Sequence, residues 1–371
     1  MSPKVALIVG TRPCAIKMAP LARTLRTEFA MDVRVVSTAQ HRHLFDQVAE
    51  VFGIRPSVDL DIMRPDQNPA QVFAMALLGL HDAFENMKPN MVLVQGDTAT
   101  AIAGAWAAFL RGIRVGHVEA GLRTHDKRQP FPEEINRRQV SVIADYHFAP
   151  TPQSAGNLRA EGIREENICV SGQTGIDALA QSVTAARARR LTFIPPEAGE
   201  RRIVLLTAHR RENFGKGLSD IGEAVRTLAR TRDDIWVVCP VHPNPHVTSA
   251  IRGALGRTPR VSLVEPLSYL DFVALMDRSY LILTDSGGLQ EEGPHLGKPV
   301  LVLRETTERP EAVDSGAARL TGTDPEKIVS AVAELLDNPA VYRQMTKNPS
   351  PFGDGHACRR IGEFLASRGF S

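Results

Sequence analysis

The chain has 371 residues, enough for two domains of ordinary size or one large one. Hydrophobic residues make up 43% and charged residues 23%, values typical of a globular protein with a sizeable core. The formal net charge is only +2, so the molecule as a whole has no strong electrostatic preference for nucleic acid or an anionic membrane, and we expect neither as a partner.

The four cysteines, at positions 14, 169, 239 and 358, are scattered without C-x-x-C spacing. This pattern predicts a reducing compartment and no structural zinc, and we expect no metal site. The first apolar run is too short for the core of a signal peptide, and no apolar stretch reaches the length of a membrane span. We therefore expect a cytoplasmic protein.

Strand-like and helix-like segments alternate along the first half of the chain. Short apolar runs predict strands at 5–9, 33–36, 91–94, 113–118, 146–148 and 168–170. Helical patterns lie between them, in a segment after Gly10, at 41–52, at 70–87 and in an alanine-rich segment after Thr98. The small residues of that last segment suit close packing on a sheet.

The second half repeats this alternation, with predicted strands at 203–206, 235–238, 261–264, 280–283 and 299–303. Such apolar runs between helices predict parallel sheets covered on both faces, and right-handed crossovers then give doubly wound domains. Segment 185–202 is rich in charge, proline and glycine and is the best domain boundary. We expect an α/β protein with two Rossmann-like domains, 1–184 and 201–371, facing each other across a cleft.

The most informative turn is Thr284-Asp-Ser-Gly-Gly-Leu-Gln-Glu-Glu292, which joins a predicted buried strand to a predicted helix. At a helix N-terminus, Ser286, Gly287 and Gly288 are expected to leave backbone N–H groups uncovered for an anion, and the two glycines let a phosphate approach closely. Glu292, one turn further on, is placed to accept hydrogen bonds from sugar hydroxyls. The alternative is a tight strand-to-helix turn without a ligand.

Other unusual residues also follow predicted strands, where ligands bind in doubly wound sheets. Arg12 and Lys17 come after the first strand and suggest anion binding, although a surface pair is the alternative. Asp97 stands where a helix N-cap would, so capping competes with a functional role. Glu119 ends an apolar run, and such a carboxylate is costly to bury without a partner.

The remaining candidates lie in three charged segments. Glu133 and Glu134 fall in the first turn of a predicted helix, and for Glu134 alone simple complementarity to the helix dipole is sufficient. His209, beside two arginines after a strand, is hard to explain by packing. Arg309 belongs to a segment predicted to supply a further cation facing the Ser286 turn.

No G-x-G-x-x-G fingerprint and no Walker A loop occur in the sequence, which argues against a dissociable NAD cofactor. The combined motifs resemble those of the non-hydrolysing UDP-N-acetylglucosamine 2-epimerases over nearly the whole chain. They are GTRPCAIKMAP, QGDTAT, GHVEAGLRT, PFPEEINRR, AHRREN, PVHPNP, TDSGGLQEE, RETTERPEA and PFGDG, in this order.

The resemblance implies the two-domain fold of the B-type glycosyltransferases (GT-B), a homodimer and a UDP-sugar substrate with no cofactor. It assigns the catalytic carboxylates to the N-terminal domain and UDP binding to the C-terminal domain, with the last helix packing back on the N-terminal one. The implied reaction is reversible epimerisation of UDP-GlcNAc to UDP-ManNAc by anti elimination of UDP and its re-addition to a 2-acetamidoglucal.

Matched motif by motif, the resemblance implies a role for each candidate residue, without saying which carboxylate is base and which is acid. The implied catalytic residues are Asp97, Glu119, Glu133 and His209. The implied substrate-binding residues are Arg12, Lys17, Arg210, His242, Phe272, Ser286, Gly287, Gly288, Glu292 and Arg309.

The sequence departs from the family pattern at several positions. Cys14 stands where Glu is common, Gln95 replaces a usual His, and Gln173 replaces a usual Asn. Many bacterial members bind a second UDP-sugar as an activator. Gln40, His41, Arg210 and His242 match that site.

Two residues near that activator site, His43 and Asp66, are atypical, so allosteric activation stays open. Two other functions also stay open. One is a UDP-sugar glycosyltransferase or hydrolase on the same fold, and the other is a non-enzymatic nucleotide-sugar binding protein.

Overall fold

The computed structural model describes residues 2–39, 48, 50–64, 67–347 and 350–370. These residues form two compact units. Unit 1 comprises Met1–Ala180 and Phe352–Ser371, and unit 2 comprises Gln181–Pro351. Most of the helix predicted at 41–52 lies outside the described residues.

Unit 1 is built on a sheet of seven parallel strands in the order β3-β2-β1-β4-β5-β6-β7. The strands are β1 (Lys4–Val9), β2 (Asp32–Ser37), β3 (Val58–Asp59), β4 (Met91–Gln95), β5 (Arg114–Val118), β6 (Tyr146–Ala149) and β7 (Ile168–Val170). The helices of its first segment, Met1–Ala180, are α1 (Arg12–Thr27), α2 (Pro69–Met87), α3 (Ala99–Phe109), α4 (Glu133–Ile143), α5 (Pro152–Ala160) and α6 (Thr174–Arg187). Helix α6 continues into unit 2.

Unit 2 has the same topology, a sheet of six parallel strands in the order β10-β9-β8-β11-β12-β13. The strands are β8 (Arg202–Thr207), β9 (Ile235–Pro240), β10 (Val261–Val264), β11 (Leu281–Thr284), β12 (Val300–Val302) and β13 (Ala318–Leu320). The helices are α7 (Lys216–Thr231), α8 (Pro245–Leu255), α9 (Tyr269–Arg278), α10 (Gly287–His295), α11 (Pro310–Asp314), α12 (Pro325–Asp337) and α13 (Pro339–Lys347).

The strand orders agree with the sequence prediction of Rossmann-like α/β units. Central strands such as β4 and β11 are buried along their whole length, which is why they occur as continuous apolar runs. The two edge strands β3 and β13 are not predicted from the sequence. Each is two or three residues long and contains a charged residue, Asp59 or Arg319, so neither gives an apolar run.

Several helices begin where a polar side chain caps the first turn. Asn68 and Gln71 form a capping box at the start of α2, with Pro69 as the first helical residue. Thr98 caps α3, its hydroxyl accepting the N–H of Ala101 at 3.2 Å.

None of the helices in the described ranges is both long and apolar enough to span a membrane.

The last helix, α14 (Ala357–Ser367), packs in the core of unit 1, where its Ile361 and Leu365 join the cluster that contains Met18 and Leu21 of α1. A Cβ at Gly362 would come within 2.2 Å of a Phe29 ring carbon, so the small residue permits this close packing. Unit 2 accordingly ends before the predicted boundary at 371.

The buried carboxylate of Asp177, on α6, anchors the start of α14. It accepts the backbone N–H groups of Ala357 at 3.1 Å and Cys358 at 2.9 Å, which would otherwise be unsatisfied donors at a helix N-terminus. Burial raises the pKa of Asp177, and the N–H donors oppose that rise. Asp177 therefore ties the terminal segment to the rest of unit 1.

We predict that D177A lowers the melting temperature by roughly 4–10 °C, because two buried N–H groups lose their acceptor at about 1–3 kcal/mol each. The matched control is D324A, since Asp324 caps α12 with the same chemistry but is exposed. That substitution is expected to cost about 1 kcal/mol. Differential scanning calorimetry measures both, and equal losses would contradict the anchoring role.

Candidate functional site

The carboxyl ends of adjacent parallel strands bring separate loops together. In unit 1, the loops after β1, β4 and β5 meet, because these strands are neighbours in the sheet. In unit 2, the corresponding loops follow β8, β11 and β12. The strand order reverses between β1 and β4 in unit 1 and between β8 and β11 in unit 2. Ligands bind at this point in sheets of this type.

Glu119 follows β5 and is only 8% exposed. Its backbone φ is +66°, in the left-handed region that few residues other than glycine adopt. The carboxylate Oε2 forms a buried ion pair with Lys17 of α1 and accepts a hydrogen bond from Gln173 Nε2 at 2.7 Å. Two residues distant in sequence thus compensate the charge of this buried carboxylate.

Asp97 follows β4 and is held from α4. Its carbonyl accepts Asn136 Nδ2 at 2.9 Å, and its carboxylate Oδ2 accepts Arg137 Nε at 3.1 Å together with Arg137 Nη2. The capping interpretation of Asp97 is wrong, because the cap of α3 is the next residue, Thr98. The carboxylate is instead part of an ion pair at the strand end.

The two acids at the start of α4 differ in their surroundings. Glu133 is the first residue of α4 and is half-buried. Glu134 is fully buried and accepts the N–H groups of Thr124 at 3.1 Å and His125 at 3.2 Å. It also accepts Arg137 Nη1 at 3.1 Å. Glu134 therefore does more than complement the helix dipole, because it fixes the loop after β5.

The segment after β1 places Arg12 as the half-buried first residue of α1. Cys14 lies in the core, 3% exposed, with its Sγ 3.6 Å from the carbonyl oxygen of Ile8. Burial raises the pKa of Cys14 to about 12; Glu119 adds to the rise, while a backbone hydrogen bond from Gly10 and the charge of Lys17 oppose it. The thiol is therefore neutral at physiological pH and is not an activated nucleophile.

In unit 2, His209 follows β8 and is half-buried. Its Nδ1 lies 3.4 Å from Oδ1 of Asp285, and its ring stacks on His242 with centroids 5.2 Å apart and planes 16° apart. His242 is exposed, and its Nδ1 accepts the N–H of Asn244 at 3.2 Å. Burial lowers the pKa of His209, although the charge of Asp285 opposes this.

The Ser286 turn leads into α10, with Ser286 as the N-cap residue. The prediction that its own N–H is uncovered is wrong, because that N–H donates to Thr284 Oγ1 at 2.9 Å. Gly287 and Gly288 are the first two helical residues, whose N–H groups have no acceptor within the helix. The helix N-terminus with these two glycines is the part of the turn suited to an anion.

Arg309 lies against this turn, as the sequence predicts. A Cβ on Gly287 would come within 2.4 Å of Arg309 Nη1, whereas a Cβ on Gly288 would have no neighbour closer than 4.0 Å. Arg309 is 5% exposed, and Glu291 holds its Nε at 2.5 Å. A guanidinium and a helix N-terminus are thus in contact, a combination that attracts an anion.

Glu308 organises three arginines around this position. It is 2% exposed and accepts Arg304 Nη1 at 2.7 Å and Arg309 Nη1 at 2.6 Å. Arg210 Nη2 is 3.4 Å from the same carboxylate. A buried carboxylate thereby orients cations that would otherwise repel one another.

The other predicted residues are less strongly constrained. Glu292 is half-buried on α10, and Phe272 is half-buried on α9. Their predicted contacts with ribose and uracil stay predictions. Gln40, His41, His43 and Asp66, on which the expected activator site depends, lie outside the described residues.

Sequence reasoning missed several residues that hold the site together, namely Arg137, Gln173, Asp285, Glu291 and Glu308. For Asp285 a signal was present, because it ends an apolar strand as Glu119 does. For Arg137 the signal was its position three residues after Glu134 on one helix face. Gln173 lies 54 residues from Glu119, and no local pattern connects them.

Comparison with known proteins extends these observations. A family model described as UDP-N-acetylglucosamine 2-epimerase matches residues 23–366. The chain is 48% identical over 362 residues to UDP-N-acetylglucosamine 2-epimerase of Bacillus subtilis, covering 98% of this chain and 94% of that one.

Two solved structures are similar over nearly the full length. The first is UDP-GlcNAc 2-epimerase from Neisseria meningitidis bound to UDP-GlcNAc, with TM-score 0.94, 43% identity, and coverage of 98% of this chain and 100% of that one. The second is S. aureus MnaA with UDP, with TM-score 0.94, 44% identity, and coverage of 100% and 98%. The two-domain α/β fold of the GT-B type is thus confirmed.

The two doubly wound units, with paired charges at their strand ends, define an α/β protein of the GT-B type. The chain belongs to the UDP-N-acetylglucosamine 2-epimerase family. The resemblance identified from the sequence motifs is confirmed.

We predict that G287A destabilises the protein and G288A does not. The new methyl group of G287A collides with Arg309, which two buried carboxylates hold in place, so we expect a loss of about 1–3 kcal/mol. In G288A the space is open, and replacing glycine by alanine in a helix stabilises by up to about 1 kcal/mol. Thermal melts of both variants test this difference, and equal melting temperatures would contradict the packing of Arg309 on Gly287.

Proposed function

We propose that this protein is a UDP-N-acetylglucosamine 2-epimerase that interconverts UDP-GlcNAc and UDP-ManNAc. The observation that carries the proposal is the pair of ion-paired carboxylates, Asp97 and Glu119, at the ends of adjacent strands in unit 1. Acid–base groups at this position suit proton transfer at a sugar carbon. The activity named for the Bacillus subtilis and Neisseria meningitidis proteins supports the same reaction.

The chemical difficulty is that the proton on C2 of the sugar is not acidic. In the proposed route the C1–O bond breaks, with its electron pair leaving on UDP, and a base removes the C2 proton, so that a C1=C2 double bond forms. UDP then adds back to C1 while a proton is delivered to C2 from the opposite face. Atoms and charges balance without an oxidant.

This route requires stabilisation of negative charge on departing UDP. In unit 2 the N-terminus of α10 and Arg309 offer N–H and guanidinium donors, and Arg210 adds a third source of positive charge. Detached UDP carries more charge than the esterified diphosphate of the substrate, so such a site favours the broken bond over the intact one. Ser286 and Glu292 complete the proposed UDP site, with Phe272 at uracil.

The acid–base groups of the proposed reaction are Asp97, Glu119, Glu133 and His209. The carboxylate of Asp97 is held by Arg137, and that of Glu119 is held by Lys17. Arg12 and Lys17 are further proposed contacts of the sugar and diphosphate. His242, which stacks on His209, is also proposed to bind substrate.

We predict that UDP-ManNAc formed in D2O carries deuterium at C2, because the proton removed exchanges with solvent before re-addition. E119Q is expected to slow both epimerisation and exchange by at least about 100-fold. The control E166Q removes a carboxylate that is exposed on the surface and is expected to match the wild type.

Proton NMR of the purified product measures the deuterium content. Product without deuterium at C2 would contradict the elimination route. Release of UDP that depends on an acceptor, with no epimer formed, would instead favour a glycosyltransferase.

We further propose that the protein is a homodimer that buries an apolar surface of unit 1. Large apolar side chains are exposed on or directly after three helices of this unit, including Val142 of α4 (84% exposed) and Phe109 of α3 (56%). Leu78 of α2 and Leu110 are also exposed. A second copy of the chain is the proposed partner because closed twofold assemblies are the most common in soluble proteins.

We predict that the wild-type protein elutes at twice the chain mass in light scattering, and that F109D/V142D elutes at the chain mass because it would bury two unpaired charges in the interface. T227D, which places the same charge on an exposed position of α7 in unit 2, is expected to remain a dimer. A dimeric F109D/V142D protein would contradict this surface as the interface.

A further inference from the structure

Asp285 is a fully buried carboxylate at the end of β11, immediately before the Ser286 turn. All of the hydrogen bonds described here for its carboxylate come from the loop after β8. The N–H of His209 donates to Oδ1 at 3.1 Å and to Oδ2 at 2.9 Å, and the N–H of Arg210 donates to Oδ2 at 2.9 Å. Asn213 Nδ2 donates to Oδ2 at 3.0 Å.

The same carboxylate faces the imidazole of His209, since Oδ1 is 3.4 Å from Nδ1. A carboxylate next to Nδ1 favours the tautomer with the proton on that nitrogen, and it stabilises the imidazolium. The other groups that face the ring are His242, which stacks on it after β9, and the cations Arg210 and Arg304. Of the groups named here that face the ring, Asp285 is the one with a negative charge.

Asp285 also connects two parts of the site that come from different strands. It hydrogen-bonds the loop that carries His209, and the next residue along the chain is Ser286, the N-cap of α10. Thr207 and Thr284 join the same two strands with a hydroxyl contact of 2.6 Å. The position of His209 relative to the helix N-terminus is therefore set through β8 and β11.

We propose that Asp285 is the positioning residue of His209, holding its proton on Nδ1 and presenting Nε2 as the nitrogen that works on substrate. The proposal deepens the epimerase function proposed above and rests on it only for the catalytic consequence. Asp285 itself has no contact with substrate in this proposal, because it is buried behind the His209 loop.

A charge-swapped variant separates this role from a purely structural one. D285N removes the charge beside His209 and leaves one amide oxygen in place of the two carboxylate oxygens that accept from His209, Arg210 and Asn213. D285N/N213D restores an amide–carboxylate hydrogen bond but moves the charge onto the Asn213 side of the pair. If Asp285 acted only by joining the two loops through Asn213, the swap would recover activity together with that hydrogen bond, whereas the positioning of His209 is not recovered.

The direct measurement is NMR of full-length protein labelled with 15N-histidine, in which H209N identifies the signals of His209 among the eleven histidines. In the wild type we expect Nδ1 to carry the proton. In D285N and in D285N/N213D we expect loss of that tautomer preference and a lower pKa of His209, because the nearby negative charge that favours the imidazolium is gone or displaced. Thermal melts of each variant show whether it is folded.

The kinetic measurement follows UDP-GlcNAc turnover over a pH series. We expect kcat to fall at least about tenfold in D285N, with a smaller change in KM, and the pH limb of His209 to move to lower pH. In the swap we expect the melting temperature to recover only in part, because Asn213 also donates to the Leu303 carbonyl oxygen. We expect neither kcat nor the pH limb of His209 to recover.

The proposal would be overturned by an unchanged His209 tautomer and pKa in folded D285N, or by full recovery of kcat in the swap. An inactive wild type that still shows the Asp285-dependent tautomer would reject the proposed function and leave this inference standing.

Discussion

The site depends on the cost of burying a carboxylate at the end of a parallel strand. Glu119 and Asp285 occupy equivalent kinds of position, one in each unit, and an isolated buried charge there would cost several kcal/mol. Unit 1 compensates Glu119 with Lys17 and Gln173, and unit 2 compensates Asp285 with two backbone N–H groups and Asn213. In unit 1 the compensating groups come from α1 and from the loop after β7, and in unit 2 they come from the loop after β8. Neutralising each charge therefore also fixes the position of these segments.

The two units use the same strand order for different chemistry. In unit 1, the carboxylates of Asp97 and Glu119 are each paired with one cation, an arrangement that suits the proposed proton transfer. In unit 2 the balance is reversed, because the buried carboxylate of Glu308 orients arginines around a helix N-terminus. Charges of either sign at the strand ends suit the proposed reaction, which needs both a base for carbon and donors for a leaving group.

Much of the fold could be predicted from the sequence, because a strand buried on both faces must be apolar throughout. That rule located the central strands and failed for β3 and β13, whose edge positions tolerate Asp59 and Arg319. The acids and cations after strands could also be predicted, since the topology brings those positions to one edge of each sheet.

The partners of those charges could not be predicted, because pairing depends on the folded geometry. Gln173 and Arg137 reach Glu119 and Asp97 from 54 and 40 residues away. The error at Ser286 had a local cause. The hydroxyl of Thr284, two residues earlier, accepts the N–H of Ser286. In such a turn a side chain takes the place of a ligand as the acceptor.

In the proposed route, UDP and an unsaturated sugar exist together on the protein between cleavage and re-addition. The most direct test supplies both from solution: 2-acetamidoglucal and radiolabelled UDP are incubated with the wild-type protein, and the nucleotide products are separated by chromatography. We expect label to appear in both UDP-GlcNAc and UDP-ManNAc, because each step of the proposed reaction is reversible. Absence of any labelled nucleotide sugar, under conditions where the same protein epimerises UDP-GlcNAc, would contradict it.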